Sequence, residues 1–197
     1  MQTDHKKNHI KTAKLIIISG PSGSGKDTIA NLLLKNNGDL EKAITTTTRK
    51  HRGKEKDGRD YYFIPPLKFK TEIMQEKFLE WAEVHIYLYG TYNSEISRIV
   101  NLQKIPVLVI DVQGALNVKK LFPAAILFFI KPPSTEIMSQ RIKNRAAISE
   151  EEVKVRLKTA RKELKMAKYY DHIIKNPEGH PEKAALKISK ILKEYLK

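Results

Sequence analysis

A lysine at the end of a glycine-rich turn is the first group in this sequence with chemistry in view. Residues Gly20-Pro21-Ser22-Gly23-Ser24-Gly25-Lys26-Asp27-Thr28 follow directly on the apolar run Leu15-Ile16-Ile17-Ile18. Successive backbone N–H groups in such a turn form a concave anion site, and a helix opening behind it adds the positive end of its dipole. Lys26 adds a mobile full charge, and the glycines let the backbone come close to an oxyanion. The pattern G-x-x-x-x-G-K between a β-rich run and a helical pattern reads as a phosphate-binding loop. Asp27 stands where that motif wants Ser or Thr, with Thr28 next. A carboxylate is a good oxygen ligand for Mg²⁺, so Asp27 is the candidate metal ligand. The plainer alternative is a solvent-facing residue in the first helical turn.

A second basic constellation is Thr45-Thr46-Thr47-Thr48-Arg49-Lys50-His51-Arg52-Gly53. Arg49 and Arg52 bracket a short turn, and Tyr61 follows in the same segment. Two guanidiniums and a phenol suit a second phosphate, because arginine binds oxyanions through two parallel hydrogen bonds. Taken alone, the segment reads first as an exposed basic loop, and the motifs in the rest of the chain overturn that.

These groups need elements to hold them. Ile29, Leu32 and Leu33 recur at helical spacing after the loop, and Gly38 is a stop signal. Thr45 to Thr48 and Tyr61-Tyr62-Phe63 are β-branched or aromatic and predict short strands around the basic loop. A helix is expected from about Leu67 to Trp81. Val107-Leu108-Val109-Ile110-Asp111 and Ala125-Ile126-Leu127-Phe128-Phe129-Ile130 are the unbroken runs of strands buried on both faces of a parallel sheet. Ser149 followed by three glutamates caps a helix whose apolar stripe is Val153, Leu157, Ala160, Leu164 and Ala167. A last helix starts near Pro181, with Ala184, Ile188, Ile191 and Leu192 inward. The alternation predicts a three-layer α/β fold with a parallel central sheet, and ligands at the carboxyl ends of its strands, where the loop and Asp111 fall.

Composition bounds the function. A chain of 197 residues suits one α/β domain. There is no apolar run long enough for a membrane span, and Met1 to Lys14 has no apolar segment of the secretory kind. With no cysteine, disulfide frameworks and thiolate sites are excluded; a cytoplasmic protein is expected. The formal net charge is +15, from 37 basic and 22 acidic residues. Such a field attracts polyanions. No helix-turn-helix, zinc-finger or aromatic RNA-binding signature accompanies it, so phosphorylated small molecules rank ahead of nucleic acid as partners.

The sequence resembles the guanylate kinase family from about Leu15 to its end. The motifs are Gly20 to Lys26, Thr47-Thr48-Arg49 with Arg52, Asp60-Tyr61-Tyr62-Phe63, Phe78-Leu79-Glu80-Trp81-Ala82-Glu83, Tyr89-Gly90-Thr91, Asp111-Val112-Gln113-Gly114 and Pro132-Pro133-Ser134. The resemblance implies a P-loop kinase fold with a core over about 10–44 and 96–197, an inserted GMP-binding lobe over about 45–95 and a short helical lid over about 141–157. It implies ATP-dependent phosphorylation of GMP, and of dGMP, by in-line transfer with Mg²⁺ accompanying ATP. Arg49, Arg52, Tyr61 and Tyr89 match the positions that hold the GMP phosphate. Glu80 matches the carboxylate that accepts from guanine N1–H and the 2-amino group, and Thr45 and Thr91 match hydroxyls at the base. Asp111 joins the GMP site, with a water-mediated metal role. Gly20 through Thr28 match the ATP phosphate site, Arg141, Arg145 and Arg156 the lid arginines, and Asn176 the neighbourhood that packs on adenine. Closure of lobe and lid excludes water.

The chain departs from that pattern at Asp27, at Val109 (often aspartate), at Ile86-Tyr87-Leu88 before Tyr89, and at Asn144-Arg145-Ala146-Ala147, where glycines are common. Lysine followed by aspartate also resembles the ribose 1,5-bisphosphate phosphokinases, which lack the glutamate matched by Glu80. A third alternative is a non-catalytic phosphopeptide-binding module of guanylate kinase type, which has lost the phosphate loop. Whether the protein is a monomer or a homo-oligomer stays open.

Overall fold

The unbroken apolar runs do become strands. A computed structural model describes residues 14–84, 86–144 and 149–196. β1 (Ile16–Ser19) is wholly buried, β7 (Ile105–Val109) is buried from Pro106 on, and β8 (Ile126–Lys131) is buried from Leu127 to Ile130. With β2 (Leu40–Lys42) and β9 (His172–Lys175) they form a five-stranded sheet of order β2-β7-β1-β8-β9. The β2–β7 and β8–β9 pairs are parallel. Neither β2 nor β9 carries a long apolar run, because each pairs through its backbone at the end of the strand order.

A four-stranded sheet of order β4-β3-β6-β5 is built from β3 (Thr45–Thr47), β4 (Tyr62–Phe63), β5 (Phe78–Val84) and β6 (Tyr87–Tyr92). Seven α-helices accompany the strands among the described residues: α1 (Lys26–Lys35), α2 (Pro66–Met74), α3 (Asn93–Asn101), α4 (Val112–Leu121), α5 (Thr135–Lys143), α6 (Glu150–Lys165) and α7 (Pro181–Tyr195). None is long and apolar enough to cross a membrane.

One expectation is corrected. The helix predicted from Leu67 to Trp81 ends at Met74, and Trp81 lies in β5. Glu76 adopts a positive φ of 52°, the left-handed conformation in which helices commonly terminate. Lys77 then donates its backbone N–H to the Glu72 carbonyl at 3.1 Å. From Glu80 the buried and exposed residues alternate, with Glu80 and Ala82 buried and Trp81 and Glu83 exposed. That is strand periodicity overriding a helical reading of the same apolar residues.

The chain divides into two compact units: the chain up to Ile17 with Asp39–Ile126, and Ile18–Gly38 with the chain from Leu127 onward. In the first, Phe69, Phe78 and Tyr92 stack at 4.3 and 4.5 Å between ring centroids. Two buried carboxylates tie its elements together. Glu72 accepts from the Tyr92 hydroxyl. Glu95, 3 % exposed, accepts from the Ile44 backbone N–H at 3.0 Å and from Arg98 at 2.8 and 3.1 Å. In the second unit α1 packs against α7, with Ile29 and Leu33 buried on α1 and Ala184, Ile188 and Leu192 on α7. Ser149 caps α6 by accepting from the Glu152 N–H at 3.2 Å, as predicted. Val153, Leu157 and Leu164 pack on Met138, Ile142 and Ala160.

Replacing Glu95 with alanine strands the Ile44 N–H and removes the nearer carboxylate of Arg98, leaving Glu41 at 3.9 Å. Hydrogen bonds to charged groups contribute about 1.5–3 kcal/mol each, so Glu95→Ala should lower stability by at least about 1.5 kcal/mol. Urea denaturation followed by circular dichroism checks this; an unchanged midpoint would refute it.

Candidate functional site

In the second unit the site grows from the end of β1. The loop closes on itself where the Ser24 N–H donates to the Pro21 carbonyl at 3.1 Å. Gly25, with φ 86° and ψ 19°, then turns the chain into α1. Any other residue would be strained there, and a Cβ on Gly25 would fall 2.4 Å from the Asn176 side-chain nitrogen. No side chain caps α1, so its first-turn N–H groups remain available to an anion. Two side chains brace the loop from behind: Asn176 donates Nδ2–H to the Ser24 carbonyl at 2.8 Å, and Arg141 donates Nη1–H to the Gly23 carbonyl at 3.3 Å. A cavity of about 470 Å³ opens here, lined among others by Gly23, Lys26, Asp27, Thr28, Arg141 and Asn176. That is ample for part of a nucleotide.

The predicted ATP-side residues distribute unevenly. Lys26, Asp27, Thr28, Arg141 and Asn176 converge on the one cavity. Asp27 and Thr28 are exposed on the first turn of α1. Arg156 is buried on α6, its Nε–H donating to Glu152 at 3.0 Å, and it does not line that cavity. Arg145 lies outside the described residues.

In the first unit the four-stranded sheet sets the geometry. In the antiparallel register Thr45 pairs with Thr91 and Thr91 with Glu80, so the three stand in one cross-strand row. An irregularity between Phe78 and Glu80 shifts the register and brings Glu80 opposite Thr91. Such bulges re-aim side chains. Glu80 is 5 % exposed and accepts from the Thr91 hydroxyl at 2.9 Å. Burial pushes its carboxyl up to about 8; the Thr91 bond opposes this, and the nearby negative charge of Asp111 adds to it. Asp111 caps α4, accepting through Oδ1 from the N–H groups of Gln113 and Gly114 at 2.8 and 3.0 Å. Gly114 makes room: a Cβ there would stand 2.6 Å from Glu80 Oε2.

Two residues along the same strands the character changes. Thr47 pairs with Tyr89, and the Tyr89 ring meets that of Tyr61 edge-on at 6.3 Å. The Arg49 guanidinium lies 4.9 Å over the Tyr61 ring. Arg49 is buried, whereas Arg52 is exposed at the turn. Thus Thr45, Thr91 and Glu80 form a polar group on this sheet with the α4 cap Asp111 near Glu80, and Arg49, Tyr61 and Tyr89 form a cationic–phenolic group.

Sequence reasoning missed one participant outright, Glu55, and the structural roles of two residues it had named. Glu55 binds Arg49 through both carboxylate oxygens at 2.7 Å; its signal was an acidic residue three positions after Arg52 in an otherwise basic turn. Asn176 braces the loop as well as facing the cavity, and no local pattern marks a contact spanning 152 positions. Gly114 was legible only as part of a motif.

The family model described as guanylate kinase matches residues 12–195. A guanylate kinase of Caldanaerobacter subterraneus subsp. tengcongensis is 42 % identical over 168 residues, covering 85 % of this chain and 82 % of the relative. The crystal structure of guanylate kinase from Anaplasma phagocytophilum superposes with a TM-score of 0.76 at 30 % identity, covering 93 % of this chain and 86 % of that one. A shikimate kinase from Acinetobacter baumannii, at 19 % identity and a TM-score of 0.51, shares the fold alone. The chain belongs to the guanylate kinase family.

Proposed function

We propose that this chain transfers the γ-phosphoryl group of ATP to GMP, giving ADP and GDP, with GMP held by the first unit and ATP by the second. The observation that carries the acceptor assignment is Glu80, a buried carboxylate with one hydroxyl donor, Thr91, among its described hydrogen bonds. Guanine offers N1–H and a 2-amino group to such an acceptor, whereas adenine would turn its N1 lone pair toward it. A site built to hydrogen-bond one base rejects the other strongly, because the wrong base leaves buried polar groups unpaired. Thr45 and Thr91 stand in the same cross-strand row, and Arg49, Arg52, Tyr61 and Tyr89 hold the acceptor phosphate.

On the donor side the open N–H groups at the start of α1 and Lys26 bind the phosphate chain. Arg141 at the same cavity supplies positive charge toward the transferring group, Arg145 is assigned beside it, and Arg156 would join only by exchanging its Glu152 partner for phosphate. Positioning and charge suffice for such a transfer; no covalent intermediate is required. Mg²⁺ is a hard cation that takes oxygen ligands. The exposed Asp27 carboxylate and Thr28 hydroxyl at the cavity fit that need, and with ATP bound the ion neutralises phosphate charge. Asp111, half-buried with Oδ1 committed to capping α4, would reach an ion through water.

ADP release with GMP, dGMP, AMP, UMP or ribose 1,5-bisphosphate as acceptor tests the assignment. Selective turnover with GMP is expected, and turnover only with the sugar phosphate would overturn it. Lys26→Ala should cut kcat roughly a hundredfold to a thousandfold, the usual effect of removing one preorganised donor, while guanosine binding is unchanged. Glu80→Gln should reduce the preference for GMP over AMP on the order of a hundredfold in kcat/KM, the equivalent of one charge-assisted bond lost and the other made neutral.

The raised Glu80 pKa gives a pH test. With its carboxyl pushed by burial up to about 8, the unliganded Glu80 takes up a proton as pH falls through neutrality, and it is the ionised form that rejects adenine N1. Guanine requires the carboxylate, so GMP uptake near pH 7 should release a proton. Calorimetry in buffers of differing ionisation enthalpy reads this directly, and Glu80→Gln should abolish it. The same shift acts oppositely on folding: between about 4.5 and about 8 the native state binds the extra proton, so this group's contribution to stability falls as pH rises.

A further inference from the structure

We propose that Glu55 is a positioning residue for the acceptor phosphate: it grips Arg49 by one edge of the guanidinium so that the other edge is presented to the ligand. This rests on the reading of Arg49 as a phosphate-binding group. Arg49 is 6 % exposed and Glu55 25 %. The carboxylate takes the terminal edge, with Nη1 donating to Oε2 and Nη2 to Oε1, both at 2.7 Å. Nη1 also donates to the Lys50 carbonyl at 2.8 Å.

A guanidinium carries five N–H groups in a rigid planar fork. Those three bonds use both protons of Nη1 and one of Nη2. The Nε–H and the second Nη2–H lie along the side edge, and no hydrogen bond given to Arg49 among the described residues uses the Nε–H. That edge accepts a second oxyanion through two parallel bonds. Its plane is set by the rings beneath it, Tyr61 at 4.9 Å and Phe63 at 5.6 Å from the guanidinium carbon.

Glu55 acts on the second arginine as well. Its Oε2 accepts from the Arg52 backbone N–H at 2.8 Å, which fixes the turn carrying that side chain. The Arg49 guanidinium holds the Glu55 carboxyl below its ordinary value, so the pair is fully ionised at neutral pH. Arg49 and Glu55 together carry no net charge. Arg49 therefore contributes direction to the phosphate site, and Arg52, exposed at the turn, contributes charge. A carboxylate that simply competed with phosphate for Arg49 would have the opposite effect on affinity.

Binding of GMP and of guanosine, together with kcat and KM for GMP and ATP, tests this in E55A, E55Q, R49A and R49A/E55A. E55A should weaken GMP binding roughly tenfold to a hundredfold, as for one or two charge-assisted bonds, with guanosine binding and KM for ATP unchanged. E55Q, which keeps one acceptor oxygen, should recover part of the loss. The double variant should bind GMP no more weakly than R49A. Tighter GMP binding by E55A would make Glu55 a competitor and overturn the proposal. So would an equal loss of guanosine binding, or a loss that adds to that of R49A. If R49A itself leaves GMP binding intact, the phosphate-site reading fails; if R49A weakens it and E55A is silent, only the positioning role fails. Should E55A not fold, E55Q is read by the same comparison of GMP with guanosine.

Discussion

Burying a carboxylate away from water is costly unless its charge is met by donors, and much of the first unit is arranged around that constraint. Three glutamates there are nearly inaccessible: Glu72, Glu80 and Glu95 at 8, 5 and 3 % exposure. Glu95 is met by a guanidinium and a backbone N–H, and Glu72 by the Tyr92 hydroxyl and the Lys77 ammonium at 3.5 Å. Glu80 has the Thr91 hydroxyl, and Asp111 adds like charge nearby. The first two are satisfied by protein and serve the fold. Glu80 has fewer donors than the other two, and in the proposed function a guanine base supplies two more N–H groups. Residue type is the same in all three; the partner decides the role.

The second unit answers the converse problem. Its loop gathers positive potential through backbone N–H groups that no side chain caps, with Lys26 and Arg141 at the same cavity. Asn176 and Arg141 bind carbonyl oxygens of the loop, at Ser24 and Gly23. Those bonds occupy the acceptors and leave the N–H groups for phosphate. The left-handed Gly25 permits the approach of Asn176, which a side chain would block.

Much of this was legible in the chain. The loop Gly20–Thr28, the strands at Val107 and Ile126, the Ser149 cap and the Pro181 helix all rest on local rules: glycine conformations, unbroken apolar runs, a hydroxyl ahead of three acidic residues. The residue types of the polar group were legible through the family motifs. The helix expected to reach Trp81 failed because the turn at Glu76 and pairing with β6 converted its second half into strand. Periodicity in a short apolar segment cannot distinguish the two.

Residue order thus determined which groups are present, an anion loop with Lys26, two arginines and a phenol, and a glutamate among apolar neighbours, since each signal lies within a few positions. Tertiary structure decided what they do to one another. The register that sets Thr45, Thr91 and Glu80 in a row, the burial that raises the Glu80 carboxyl, the grip of Glu55 on Arg49 over Tyr61, and the brace from Asn176 to Ser24 all depend on how strands pair and what water is excluded. Most of those join residues distant in sequence, and even the Glu55–Arg49 pair, six positions apart, depends on the turn that folds one back on the other.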